Sequence, residues 1–242
     1  MMFRGSMPKL IVANYKMNGS KKLYATIIKK INKVKVMDTK IVLCPPFVYL
    51  DEFRLKNRFV SLGCQDITNE DNSKSTGQIS PEMLLEFQVE YVIVGHSERR
   101  KLGEKDEQIN EKVKICLNNG LQPIICVGEE KKSDKLDSVL FQVEQAIKNT
   151  PKNIIPIIAY EPVWAIGTGK LPEVSRINRM SKKIRTKITD LGYQNCILLY
   201  GGSINSNNFK EIMLSQIDGL LLGGVSLRID EFIKIVKGID DD

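Results

Sequence analysis

An acid, an imidazole and an ammonium group recur in this chain at one kind of place, just past the end of an apolar run. Glu161 closes IIPIIAY, His96 follows YVIVG, and Asn14 and Lys16 stand at the end of KLIVAN. Gln65 closes VSLGC, and Glu98 lies two residues beyond His96. Gly201-Gly202-Ser203 and Gly223-Gly224 follow two further runs. A lone histidine at such a junction is ordinarily a local hydrogen-bonder. A histidine, a lysine and two acids together can take a proton from carbon while stabilising charge on oxygen.

Each member suits one part of that chemistry. Pro162 lacks a backbone donor and restricts Glu161 to extended conformations, which aims the acid as a base. Enclosure in an apolar site makes a carboxylate more basic toward a proton on carbon α to a carbonyl. His96 heads the segment SERRK, and helix N-terminal amides disfavour an imidazolium. A neutral His96 would then donate a hydrogen bond to a substrate oxygen. Lys16 supplies positive charge for an enediolate or a phosphate. The glycine pairs let backbone N–H groups approach an anion. Gly167-Thr168-Gly169 gives the segment after Glu161 freedom to move.

Eight short apolar runs predict strands at Lys9–Asn14, Lys40–Cys44, Val60–Gln65, Tyr91–Gly95, Gln122–Val127, Ile155–Glu161, Cys196–Tyr200 and Gly219–Leu222. Several are continuously apolar, as parallel strands buried on both faces are. Helical spacing falls between them, at Ile109, Val113, Cys116 and Leu117, and at Leu136, Val139, Leu140 and Val143. Pro172 is expected to open a long helix carrying Val174, Ile177, Met180, Ile184, Ile188 and Leu191. An α/β chain of 242 residues with eight strands favours a single closed (β/α)8 barrel over residues 8–242. Residues 1–7 read as an N-terminal extension or a cloning remnant. Periodicity does not reveal closure, so an open doubly wound sheet also fits the pattern. No G-x-G-x-x-G follows the first strand, which argues against dinucleotide binding. In a barrel, all the polar residues above fall on the rim where strands end, the face that carries chemistry.

Composition removes other classes. No apolar run reaches the roughly 20 residues of a membrane helix, and MMFRGSM lacks the apolar stretch of a secretory signal. Five cysteines, with no CxxC pair and one histidine in the chain, argue against a disulfide framework and a zinc cluster. A reducing, cytoplasmic setting is expected. Net charge is +7, but the first 40 residues hold ten Lys or Arg against the single acid Asp38. In residues 19–35, Leu23, Ile27, Ile31 and Val34 form an apolar helical stripe that leaves Lys21, Lys22, Lys29 and Lys33 facing elsewhere. A solvated lysine face accounts for the excess, and no nucleic-acid motif accompanies it.

NYKMNG (14–19), GHSERR (95–100), AYEPVWAIGTGK (159–170), YGGSI (200–204) and LGGVSL (222–227) resemble, in order, the motifs of the triosephosphate isomerase family. The resemblance runs from Lys9 to Ile235. It implies interconversion of dihydroxyacetone phosphate and D-glyceraldehyde 3-phosphate through an enediolate, with no metal or cofactor. Carried onto this chain, it makes Glu161 the base and His96 the neutral electrophile; the family is itself the standing example of that division of labour. Lys16 would stabilise charge, Asn14 would position substrate, and Glu98 would be a supporting acid paired with Lys16. Gly167, Ser203, Gly223 and Gly224 would hold the phosphate. Residues 162–170 would form a closing lid, with Pro162-Val163-Trp164 as one hinge and Ala165-Ile166-Gly167-Thr168 as its tip. A homodimer is implied, with Thr76 reaching the partner's site.

Two departures stand out. Tyr15 replaces the family's usual tryptophan and keeps an aromatic ring. Gln78 stands where a glutamate usually pairs with an arginine of the other subunit, at the position of Arg99. Losing the charge there predicts a weaker dimer. A metal-dependent phosphosugar epimerase fits less well, because such enzymes gather several histidines at their strand ends. A non-catalytic scaffold would tolerate damage at Glu161, His96 or Lys16, and all three are intact.

Overall fold

The computed structural model describes residues 8–53, 58–70, 74–132, 136–165 and 172–241. Eight parallel strands close on themselves in sequence order: β1 (Lys9–Asn14), β2 (Thr39–Cys44), β3 (Val60–Cys64), β4 (Val89–Val94), β5 (Gln122–Val127), β6 (Ile157–Tyr160), β7 (Ile197–Gly201) and β8 (Gly219–Leu222). Pairing of Leu10–Ala13 with Gly219–Leu222 closes the barrel. The closed alternative is therefore the one realised, and β1, β5 and β8 have the expected ends. β6 is shorter than expected, although its ladder continues by single bonds: Ile197 N–H donates to Pro156 O at 2.9 Å, and Glu161 N–H to Val127 O at 2.8 Å.

The strands are apolar on both faces because both faces are covered. Leu10, Val12, Val42, Ile93, Ile124, Ala159, Leu199 and Leu221 pack together inside the barrel. The intervening residues, such as Ile11, Leu43, Val94 and Leu198, join a larger core with the outer helices. That outer layer comprises α1 (Lys21–Ile31), α2 (Pro81–Glu86), α3 (Ser97–Lys101), α4 (Asp106–Asn118), α5 (Asp137–Ala146), α6 (Val174–Asp190), α7 (Phe209–Met213) and α8 (Ile229–Asp240). Between β2 and β3 the described residues hold only a 3-10 turn, Phe47–Glu52, where a helix was expected.

Local chemistry starts and stops these elements. Ser20 and Ser80 cap α1 and α2 by accepting from Leu23 N–H and Met83 N–H, and Pro81 occupies the first turn of α2. On α1 the buried side chains are Tyr24, Ile27 and Ile31, with Leu23 half-buried, while Lys21, Lys22 and Lys29, and Lys33 just past its end, face solvent. Pro172 does not open α6. Glu173 is the cap, with extended backbone, and its carbonyl accepts from Arg176 and Ile177 N–H. All five cysteines are free and buried, and burial pushes the thiols of Cys116 and Cys196 up to about 12 and about 11. Among the described residues, no helix is long and apolar enough to cross a membrane.

Candidate active site

The end of β1 sets Lys16 in a left-handed conformation, φ 51°, which is uncommon for a residue with a side chain. Two side chains hold it there. Asn14 Oδ1 accepts Lys16 N–H at 2.9 Å, and Gln65 Nε2 donates to Lys16 O and to Cys44 O, both at 2.9 Å. Local strain persists when its surroundings overdetermine it in this way. Gln65 thus supports the lysine, a role its place at a strand end alone did not specify. The Lys16 ammonium donates to Glu98 Oε1 at 2.7 Å. Partial burial pushes the Glu98 carboxyl up, but the hydrogen bond from Lys16 and the nearby positive charges outweigh it and hold the group below its usual value.

His96 caps α3 with its ring. Nδ1 accepts the Glu98 N–H at 3.2 Å, so the imidazole is neutral and carries its proton on Nε2. Glu98 Oε2 also lies 3.5 Å from Nδ1. Both atoms are acceptors in this tautomer, and the close approach is not a bond. Nε2 points at Glu161 Oε1, 3.6 Å away, and both residues are only 5% exposed. Glu161 Oε2 is buried without a hydrogen-bond partner among the described residues.

Two glycines make room for this acid. A Cβ on Gly201 would lie 2.7 Å from Glu161 Cγ, and one on Gly128 would lie 1.8 Å from Glu161 O. A side chain at Gly128 would meet the Glu161 backbone, and one at Gly201 would force the Glu161 side chain to shift. Beneath the acid, burial first and then the neighbouring Glu161 push the Cys126 thiol well above its usual value, so it stays protonated.

Asn14, Lys16, His96, Glu161, Ser203, Gly223 and Gly224 line one cavity of about 270 Å³, together with Gly202, Ile204, Leu221, Val225 and Arg228. The 3-10 turn Gly224–Leu227 begins at its wall, capped by Gly223. The Ser203 hydroxyl donates to Ala165 O at 3.0 Å. Gly167 lies outside the described residues. Ala165, expected at the lid tip, is fully buried and ends a 3-10 turn, Val163–Ala165, while the rest of the expected tip, residues 166–168, lies outside the described residues.

Against that turn sits a cluster unseen in the sequence. Glu129 Oε1 accepts from Trp164 Nε1 at 2.9 Å, Arg176 Nη2 at 2.8 Å and Tyr160 Oη at 3.1 Å. Glu129 occurs in GEEKK, where nothing distinguishes it from a solvated charge. Thr76 and Gln78 are exposed in the loop after β3, and Gln78 N–H donates to Ser75 O. Neither they nor Arg99 line the cavity. Arg99 pairs within its own chain, Nη2 to Asp66 Oδ2 at 2.9 Å, and Asp66 also receives the buried Lys112 ammonium at 2.6 Å. Among the described residues, no group of three or more His, Cys, Asp or Glu is placed to hold a metal ion.

A closed barrel of eight parallel strands, with an acid and an imidazole facing each other where the strands end, has the layout of a (β/α)8-barrel enzyme. The family model for triosephosphate isomerase matches residues 9–239. A triosephosphate isomerase of Prochlorococcus marinus subsp. pastoris is 42% identical over 94% of this chain and 98% of its own. Those of a Thermoanaerobacter species and a Picosynechococcus species are 40% and 39% identical, over 94% and 96% of this chain and 98% and 99% of theirs. The chain belongs to the triosephosphate isomerase family, whose members are aldose–ketose isomerases.

Proposed function

We propose that this protein interconverts dihydroxyacetone phosphate and D-glyceraldehyde 3-phosphate, the isomerisation its relatives are named for, and serves glycolysis and gluconeogenesis in the cytoplasm. The facing of Glu161 Oε1 and the N–H of His96 Nε2 across 3.6 Å, at the wall of a 270 Å³ cavity, carries this reading. A three-carbon substrate placed there meets a base on one side and a donor to its oxygens on the other. Glu161 takes the proton from carbon, and His96 hydrogen-bonds the developing enediolate. Lys16 adds positive charge, Asn14 fixes Lys16 and the substrate, and Glu98 holds the ammonium in place.

Gly223, Gly224 and Gly167 contribute backbone amides to the phosphate. Ser203 joins them by exchanging its bond to Ala165 O for one to a phosphate oxygen, which couples phosphate binding to the hinge. Closure of residues 162–170 then excludes water and protects the enediolate, a gating role for which this family's lid is a standing example. No metal or cofactor takes part in this scheme. The chain acts as a homodimer, with Thr76 and Gln78 at the contact. The Asp66–Arg99 pair takes up the arginine that Gln78 is poorly suited to receive.

A coupled isomerase assay in EDTA tests the reading, with turnover of the triose phosphate expected in full. Shortening the base in Glu161→Asp leaves the fold intact and lowers kcat by about a hundredfold or more, since misplacement of about 1 Å costs that much. A wild-type protein inert toward both triose phosphates would overturn the function. Unchanged turnover in the variant would remove Glu161 from its role.

A further inference from the structure

Two cations line the cavity, and they are not equivalent. Lys16 is committed to Glu98 at 2.7 Å. Arg228, which follows the Gly224–Leu227 turn and caps α8, is held by one nitrogen only: its Nε donates to Glu231 Oε2 at 2.6 Å. Neither Nη has a partner among the described residues, and the side chain is 61% exposed. Glu231 is itself fixed, because its other oxygen accepts Ser206 N–H at 3.0 Å. The bond from Arg228 first, and that from Ser206 second, hold the Glu231 carboxyl below its usual value, so it stays charged. Glu231 therefore joins the loop after β7, which carries Ser203, to the loop after β8, which carries Gly223 and Gly224. Arg228 is the side chain it aims.

We infer that Arg228 is a further phosphate-binding residue of this site, offering its two free Nη groups as a fork to the substrate's phosphoryl oxygens at the outer edge of the cavity. A guanidinium anchored through Nε keeps the planar pair of donors that matches a phosphate, and little rotamer freedom remains to be lost on binding. The backbone amides of the two glycines carry no net charge and Lys16 is already partly neutralised. Glu161, Glu98 and Glu231 are the carboxylates around the cavity, so the dianion needs a cation that is not wholly occupied by them. The inference rests on the proposed function for the identity of the substrate, but not for the anion it binds.

Arg228→Ala is expected to raise KM for the triose phosphate about tenfold or more while kcat stays within about twofold. Inorganic phosphate, measured by titration calorimetry at low ionic strength, should weaken in parallel. The salt dependence of kcat/KM should flatten, because one steering charge is gone. Arg228→Lys keeps the charge without the fork. It is expected to recover the salt dependence and only part of the KM. An Arg228→Ala protein with KM, phosphate affinity and salt dependence all unchanged would overturn the inference, as would a loss confined to kcat. If the wild-type protein turns over no triose phosphate, the proposed function fails, and the calorimetric comparison alone still decides whether Arg228 binds phosphate.

Discussion

Glu161 works in a space defined by what its neighbours lack. Its Cγ lies where a methyl on Gly201 would have to go, and its Oε1 would be 2.8 Å from that methyl. Gly201→Ala therefore cannot be absorbed by a flexible side-chain end without moving the carboxylate away from His96. The expected outcome is a folded protein whose kcat falls about a hundredfold, by the same sensitivity to about 1 Å of displacement that governs Glu161→Asp. KM should change far less, because Gly201 does not line the cavity. Steady-state kinetics separate the two effects, and an unimpaired kcat would show that the proposed base tolerates a shifted position.

At the scale of elements, the segment that leaves β6, the proposed hinge, is pinned by a buried cluster. Glu129, Trp164, Arg176 and Tyr160 meet at one carboxylate oxygen, and Glu129 and Arg176 are buried as an ion pair at 2.8 Å. Breaking such a buried pair by removing one of its charges costs about 3–5 kcal/mol. Glu129→Gln should lower the urea midpoint accordingly and change the fluorescence of Trp164, the single tryptophan of the chain. An unaltered midpoint and spectrum would mean that the hinge is held by other contacts. This cluster marks the boundary of what the sequence disclosed. Strands such as YVIVG and PIICV were legible because burial on both faces leaves an unbroken apolar run, and the rim acids and histidine because strand ends locate them. Glu129 and Arg228 sit among ordinary charges, and only their three-dimensional partners separate them from solvated ones. Tyr24 was missed for a related reason: its ring is fully buried against Tyr15, Tyr49 and Phe53, residues brought to it by folding. Pro172 was expected to open α6 but lies one residue before the cap, Glu173, because the proline signal fixes a neighbourhood and not a residue.

Across the whole molecule, the last helix is tied to the second strand by one carboxylate. Asp240 on α8 accepts N–H bonds from Met37, Asp38 and Thr39 at 2.8, 3.1 and 3.0 Å. Desolvation pushes its carboxyl up, but these bonds outweigh it and hold the group below its usual value. A depressed carboxyl contributes stability that is present above the unfolded value, near 3.9, and is lost as pH falls through the folded one. Asp240→Asn should cost about 1 kcal/mol at neutral pH, given the partial exposure of the site. Below about pH 4 the difference from wild type should shrink. Urea titrations across pH check both, and a pH-independent gap would assign the loss to packing. The cavity at the other end of the barrel carries a different consequence. Gly202, Gly223 and Gly224 form part of its wall with no side chain to give up. Point substitution at those positions can only make the chamber smaller. A ligand longer than the proposed triose phosphate would need reshaped loops, because this part of the wall has already been pared to the backbone.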